Sequence, residues 1–353
     1  MDGDFYVDYA HLDSLQINII REKFHNHMVV KGKAGTGKSL IALHKLGRVG
    51  ADKKAILIVY TKSLEQYFKD GFLALDIDQK TVFHYNDWSP QHADYIFVDE
   101  CQDFNRTQIQ SFIDNAQYCY FFGDDEQSIY EWRLEGVQSV EETAKMVNVD
   151  AVELFKNYRL TKENARLAEY VGKAQNLVCH CEKTGAKPRL FTGATIEEQL
   201  DNMIRIIQNG SLTRVGILLP INDMEKANRS HDTCSHISVQ YVKNYLDAHN
   251  MPCEAKISSE FSNTMELDFS SPQPKVLTWS CAKGLQFNDV FIPFCENKFE
   301  EKRRKQLYVA ITRAWNRLYI GYSGHINEAI LPKEDTDFYE HVDFSVIGKN
   351  WSF

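Results

Sequence analysis

The chain has 353 residues, 43% of them hydrophobic and 25% charged, an ordinary globular composition at a length that suits two domains. No stretch approaches the roughly 20 apolar residues of a membrane span, and the acidic N-terminus MDGDFYVDYAHLD is no secretory signal, so a cytoplasmic location and no membrane partner are expected. The net charge of −9 excludes an unselective nucleic-acid coat but leaves room for a local basic groove.

Taken in order, the chain first offers Gln16 in LDSLQINII, then an apolar run at His27–Val30. That run enters Gly32–Ser39, GKAGTGKS, which fits G-x-x-x-x-G-K-[ST] at every fixed position. A helical run over Ser39–Gly47 leaves it, and strand, loop and helix together are the setting of a phosphate loop. Gly32, Gly35 and Gly37 allow positive φ and close approach to phosphate. The backbone from Gly32 through Ala34 and Thr36 to Leu40 supplies N–H groups at a helix N-terminus. Lys38 is placed to reach the β- and γ-phosphates of ATP, and the Ser39 hydroxyl to ligand Mg²⁺.

Ala55–Tyr60 reads as a buried strand, and Tyr95–Val98 as another that ends on two carboxylates. Asp99 is placed to hold Mg²⁺ and Glu100 to act as general base on a water. A helix over Thr107–Asn115 and a strand over Tyr118–Phe122 follow. Alternating strands and helices predict an α/β parallel sheet with its ligand at the strands' carboxyl ends. After Asp150 the pattern restarts: helix Glu163–Ala174, strand Val215–Leu219, helix Val239–His249, strands Val276–Trp279 and Val290–Pro293, helix Gln306–Thr312 and strand Leu318–Tyr322. Ser258–Pro274 reads as a loop. Two domains are therefore expected, 1–150 and 151–353. Among the eight cysteines, neither Cys179-His180-Cys181 nor His231 with Cys234 and His236 has the spacing of common zinc sites, and reduced thiols are expected. The basic run Lys302-Arg303-Arg304-Lys305 reads as a solvated helix face.

The acidic motif is DECQD, Asp99 to Asp103, and it is similar to the DEAQD signature of UvrD/Rep-type superfamily 1 helicases. Further motifs follow that family's order. Gln16 resembles its adenine-reading Q motif, Tyr60-Thr61-Lys62 its single-strand motif, and Gly123–Arg133 its GDxxQSIYxWR. Asn157-Tyr158-Arg159 matches NYR, TWSCAKGLQF (Thr278–Phe287) resembles T-x-H-x-x-KGLEF, and LYVAITRA (Leu307–Ala314) matches LYVAxTRA. The resemblance implies two RecA-like P-loop NTPase domains in tandem with the ATP site in the cleft between them. It implies that Gln16 reads the adenine edge, that Tyr158 stacks on the adenine, and that Arg159 and Arg313 enter the ATP site from the facing domain. Gln127 can hydrogen-bond the γ-phosphate, and the position of Gln286 implies a ribose contact. Tyr60, Thr61 and Thr278 would touch the strand, and Trp132 offers a flat ring for a base to stack on.

Two departures stand out. Gln286 replaces the family's usual Glu, and Trp279-Ser280 the usual pair around His. The segments Lys62–Tyr95 and Arg159–Thr278 are also too short to hold the accessory insertion domains, which leaves a bare two-domain motor. The expected function is an ATP-dependent single-stranded DNA translocase or helicase, 3′→5′ by resemblance, using ATP and Mg²⁺. It would serve as the motor subunit of a repair or defence complex with a nuclease partner. The motifs do not separate DNA from RNA. A second reading is a nucleic-acid-sensing or partner-regulated ATPase switch without unwinding.

Overall fold

The computed structural model describes residues 6–129, 136–210, 212–220, 237–258, 263–265, 267–296, 303–334 and 337–344. The chain divides into two compact units, Met1–Tyr158 and Arg159–Phe353.

In the first unit the elements run α1 (Ser14–Arg21), β1 (Met28–Gly32), α2 (Lys38–Gly47), β2 (Ala55–Val59), α3 (Lys62–Ala74), β3 (Thr81–His84), β4 (Ala93–Asp99), α4 (Arg106–Asp114), β5 (Ala116–Gly123), α5 (Val140–Met146) and β6 (Ala151–Leu154). The strands form one sheet in the order β3-β2-β4-β5-β1-β6, and every pairing is parallel. A parallel sheet covered by helices buries both faces of its strands, so they read as unbroken apolar runs. The Ala-Ile-Leu-Ile-Val of β2 is buried at every position. Polar caps start every helix of this unit but α2. Asp13 and Gln16 form a capping box at α1, Asn105 and Gln108 at α4, and Ser139 and Glu142 at α5. The sixth strand takes this unit past Asp150, the boundary read from the sequence. Val30 of β1 pairs with Val152 of β6. The Ala-Val-Glu-Leu of β6 is too short and mixed to announce itself.

In the second unit, β7 (Asn157–Thr161), which crosses the boundary, pairs with β8 (Cys181–Lys183). Around them come α6 (Lys162–Gly172), β9 (Arg189–Thr192), α7 (Ile196–Asn209), β10 (Val215–Leu219), α8 (Val239–Ala248), β11 (Glu254–Ser258) and β12 (Asn263–Met265). Then follow β13 (Lys275–Thr278), β14 (Phe287–Ile292), α9 (Arg304–Ile311), β15 (Ala314–Tyr322) and β16 (Glu340–His341). The main sheet is ordered β12-β11-β13-β10-β14-β15-β9-β16. Its pairings are parallel except β11 with β12, which is antiparallel. The segment read as a loop, Ser258–Pro274, thus carries an edge strand, because its short Asn-Thr-Met run shows no apolar alternation. Phe291 and Tyr319 stack at 4.5 Å in the core, with Met203 and Leu246 from the covering helices. Two parallel α/β sheets in succession are the RecA-like fold class expected. Among the described residues no helix is long and apolar enough to cross a membrane.

Candidate nucleotide-binding site

The loop between β1 and α2 takes its shape from glycine. Gly35 and Gly37 have φ of 84° and 89°, in the region that L side chains avoid. A Cβ on Gly32 would lie 2.6 Å from Thr36 Oγ1 and 2.9 Å from Leu154 Cβ. The loop's carbonyls are held from outside. Asn157 Nδ2 donates to Ala34 O at 2.7 Å, the Tyr158 N–H to Gly35 O at 2.9 Å, and Gln16 Nε2 to Thr36 O at 3.1 Å. In planar trans peptides the N–H that follows a carbonyl points the opposite way. The N–H groups of Gly35 and Gly37 are thereby turned away from these partners, as an anion-binding loop requires, while the Thr36 N–H donates to Lys33 O at 3.3 Å. Tyr158 and Asp13 close the same corner through a hydroxyl–carboxylate hydrogen bond. Gln16 and Tyr158 therefore flank the loop together. Asn157, first residue of the NYR motif, and Asp13, the cap of α1, brace it.

Lys38 is the first residue of α2 and is 7% exposed. Its ammonium donates to Gly32 O at 2.6 Å and Lys33 O at 3.2 Å, two neutral acceptors of the loop itself. Ser39 Oγ donates to Asp99 Oδ2 at 2.6 Å, so the helix start and the end of β4 meet. Burial, and next the charge of Glu100, raise Asp99 to about 7, against the opposing pull of Ser39 and Lys38. Two hard oxygen donors in contact, one of them on a buried carboxylate, fit a Mg²⁺ ion.

Glu100 follows in a left-handed conformation, φ 57° and ψ 47°. Its Oε2 accepts from Gln102 Nε2 at 2.6 Å. Gln127 sits in a 3₁₀ turn after β5, and its Nε2 donates to Asp124 Oδ2 at 2.6 Å. Burial raises the Asp124 carboxyl, opposed by Lys38. The first unit thus brings Lys38, Ser39, Asp99, Glu100 and Gln127 to the carboxyl end of its sheet. Sequence reasoning missed Gln102 and Asp124, which complete this edge.

The second unit gathers another set. Arg159 donates from Nε to Gln286 Oε1 at 3.2 Å and from Nη1 to Thr312 O at 3.3 Å. Arg313 is buried and donates to Val309 O at 2.9 Å, Leu285 O at 3.1 Å and Thr312 Oγ1 at 2.9 Å. Three separated motifs therefore meet around Thr312.

The strand-contact candidates are placed less uniformly. Thr61 caps α3, its Oγ1 accepting from the Leu64 N–H at 3.2 Å. The Tyr60 ring is buried and stacked on Tyr85 at 4.7 Å, so the face expected to meet a base is already covered. Thr278 ends β13 and accepts from the Cys281 N–H at 3.1 Å. Trp279 is fully buried, with its indole N–H on Leu218 O at 3.0 Å. Trp132, His231, Cys234, His236 and Lys302 lie outside the described residues. Cys179 is exposed, whereas Cys181 is buried with its thiol on Leu177 O.

Residues 51–148 match the family model of the UvrD/REP helicase N-terminal domain, and residues 276–320 that of the UvrD-like helicase C-terminal domain. Comparison with curated proteins finds no match. Among solved structures, the helicase of PRRSV is similar at 14% identity and a TM-score of 0.47, over 91% of this chain and 58% of that one. An arterivirus nonstructural protein 10 helicase in complex with DNA is similar at 14% identity and a TM-score of 0.44, over 90% of this chain and 66% of that one. The C-terminal domain of a possible DNA helicase from Lactobacillus plantarum WCFS1 is similar at 16% identity and a TM-score of 0.37, over 52% of this chain and 98% of that one. This chain therefore spans less than two thirds of each viral helicase. The two family models fall one in each compact unit, in the order of the motifs, so the chain carries a UvrD/REP helicase N-terminal domain followed by a UvrD-like helicase C-terminal domain.

Proposed function

We propose that the protein is an ATP-dependent single-stranded DNA translocase or helicase. The observation that carries the reading is the meeting of the glycine loop, the Ser39–Asp99 contact, Glu100 and Gln127 at one sheet edge. Lys38 gives up its loop carbonyls for phosphate oxygens, and the loop N–H groups hold the rest of the triphosphate. Ser39 and Asp99 are the residues that would hold Mg²⁺, which supplies charge neutralisation at the β- and γ-phosphates when bound. Glu100 orients a water and takes its proton as the oxygen bonds to the γ-phosphorus and the bond to the β-phosphate oxygen breaks. Gln127 hydrogen-bonds the γ-phosphate and so distinguishes ATP from ADP. Gln16 and Tyr158 receive the adenine and Gln286 the ribose. Arg159 and Arg313 supply guanidinium charge to the phosphates from the second unit. Thr61, Trp132 and Thr278 contact the strand, and the 3′→5′ direction rests on the family resemblance.

Steady-state ATPase with and without single-stranded DNA tests this, with Lys38→Ala as blank. Stimulation by the strand that is absent in Lys38→Ala and lost in Trp132→Ala supports a strand motor. Hydrolysis that ignores both DNA and RNA sinks it in favour of a partner-switched ATPase.

A further inference from the structure

Gln102 has an arrangement that its place in an acidic motif does not announce. It lies in the 3₁₀ turn Cys101–Asp103 and is buried. Its Nε2 donates to Glu100 Oε2 at 2.6 Å, and its Oε1 accepts from the Asp124 N–H at 3.0 Å. These partners fix which way the amide points, because a backbone N–H only donates and a carboxylate only accepts. The chain of bonds continues. Asp124 Oδ1 accepts from the Glu126 N–H at 3.1 Å, and Oδ2 from Gln127 Nε2 at 2.6 Å. Glu100, Gln102, Asp124 and Gln127 are all buried, so each link carries the full cost of being broken without water to replace it. A Cβ on Gly123 would lie 2.8 Å from Gln102 Oε1 and 2.6 Å from Cys101 Sγ, so the glycine leaves the amide its space.

We propose that Gln102 is a positioning residue that couples the general base to the γ-phosphate sensor. It rests on the roles given above to Glu100 and Gln127. The amide holds one oxygen of Glu100, which fixes the carboxylate plane and the direction from which its other oxygen meets a water. The same amide is anchored to Asp124, the residue that holds Gln127. A shift of Gln127 on meeting or losing the γ-phosphate therefore reaches Glu100 through two side chains and one backbone N–H. Only a primary amide serves here. A carboxylate at 102 keeps the acceptor, loses the donor and sets a like charge beside Glu100, and an apolar side chain keeps neither bond.

The test is steady-state ATP hydrolysis by the full chain carrying Gln102→Leu, Gln102→Glu, Glu100→Gln, or Glu100→Gln with Gln102→Leu. Misaiming a base without removing it is expected to lower kcat about 10- to 100-fold, with the ATP KM within about two-fold of wild type. Gln102→Glu should be the slower of the two Gln102 variants, and Gln102→Leu should add nothing once Glu100 is Gln. A kcat unchanged in both Gln102 variants overturns the coupling, and so does a loss that multiplies in the Glu100→Gln background. Should Gln102→Leu fail to fold, Gln102→Glu decides by the same kcat and KM criteria. A Glu100→Gln enzyme as fast as wild type, by contrast, removes the base itself and the proposal with it.

Discussion

Helix α2 carries a buried lysine at each end, and the two are held by different kinds of structure. Lys38 donates to Gly32 and Lys33, carbonyls of a glycine-shaped loop. Lys45 is 0% exposed and donates to Ile19 O at 2.9 Å and Glu22 O at 2.8 Å, at the C-terminal end of α1. The last carbonyls of a helix have no partner within it, and the helix dipole favours a cation there. Two rings complete the site of Lys45, Phe24 at 4.8 Å and Tyr120 at 5.3 Å. Both ammonium groups are thus buried on neutral oxygens. What separates them is whether those oxygens belong to a helix end, which has no other use for them, or to a loop that can exchange them for phosphate. Burial of a charge does not by itself identify a functional residue.

Truncating each lysine in turn should have opposite consequences. Lys38→Ala should cost at least about 10²-fold in ATPase kcat, as removal of a preorganised donor to developing charge does. Its thermal midpoint should stay within a few degrees of wild type. Lys45→Ala should do the reverse. It leaves a cavity and two orphaned carbonyls, worth about 2–4 kcal/mol together, or roughly 2–4 °C of melting temperature per kcal/mol for a unit of this size. Assayed well below its new midpoint it should hydrolyse ATP at the wild-type rate. Loss of hydrolysis in Lys45→Ala without loss of stability would erase the distinction.

Of these two lysines, only Lys38 was visible as special in the sequence. The phosphate loop is legible because its chemistry depends on backbone conformation at fixed spacing, and Gly32, Gly35, Gly37, Lys38 and Ser39 state that spacing outright. The strand ending in Asp99 and Glu100 is legible for a similar reason, as an apolar run that stops on carboxylates. Lys45 is not, since its acceptors lie on the preceding helix and no residue type marks a spare carbonyl. Gln102 and Asp124 form their bond across two strands of the sheet, which no local pattern records. Tyr60 reads equally as a strand end or a stacking platform, and the deciding partner, Tyr85, follows directly on the neighbouring strand β3, whose register is set only by folding. The same holds for β6, whose four residues acquire their place by pairing with β1.

A smaller effect is expected from Lys45 as pH rises. Burial, its largest influence, lowers Lys45 to about 8, from an unfolded value of about 10.4. Below about 8 both states carry the proton and the cost of burying the charge is constant. Between about 8 and about 10.4 the folded protein has released it while the unfolded chain still holds it, so stability attributable to this group rises with pH through that window. The difference in unfolding midpoint between wild type and Lys45→Ala should therefore widen from pH 8 upward and level off above about 10.4. A difference that is flat or narrowing over that range would show that the ammonium is not paying a burial cost.

The least effect, and the finest test of cations held on neutral oxygens, is expected at Gln286. Arg159 donates to Gln286 Oε1 and to the carbonyl of Thr312, both uncharged. Gln286→Glu would turn the first contact into a charge-assisted pair. The carboxylate would hold Arg159 more firmly and at the same time offset the charge that Arg159 projects. If that charge acts in catalysis, kcat/KM for ATP should fall about two- to five-fold, equivalent to about 0.4–1 kcal/mol of transition-state stabilisation. The same change made on an Arg159→Ala background should have no effect, because the charge to be offset is gone. A rise in kcat/KM would instead mean that holding Arg159 still matters more than preserving its field.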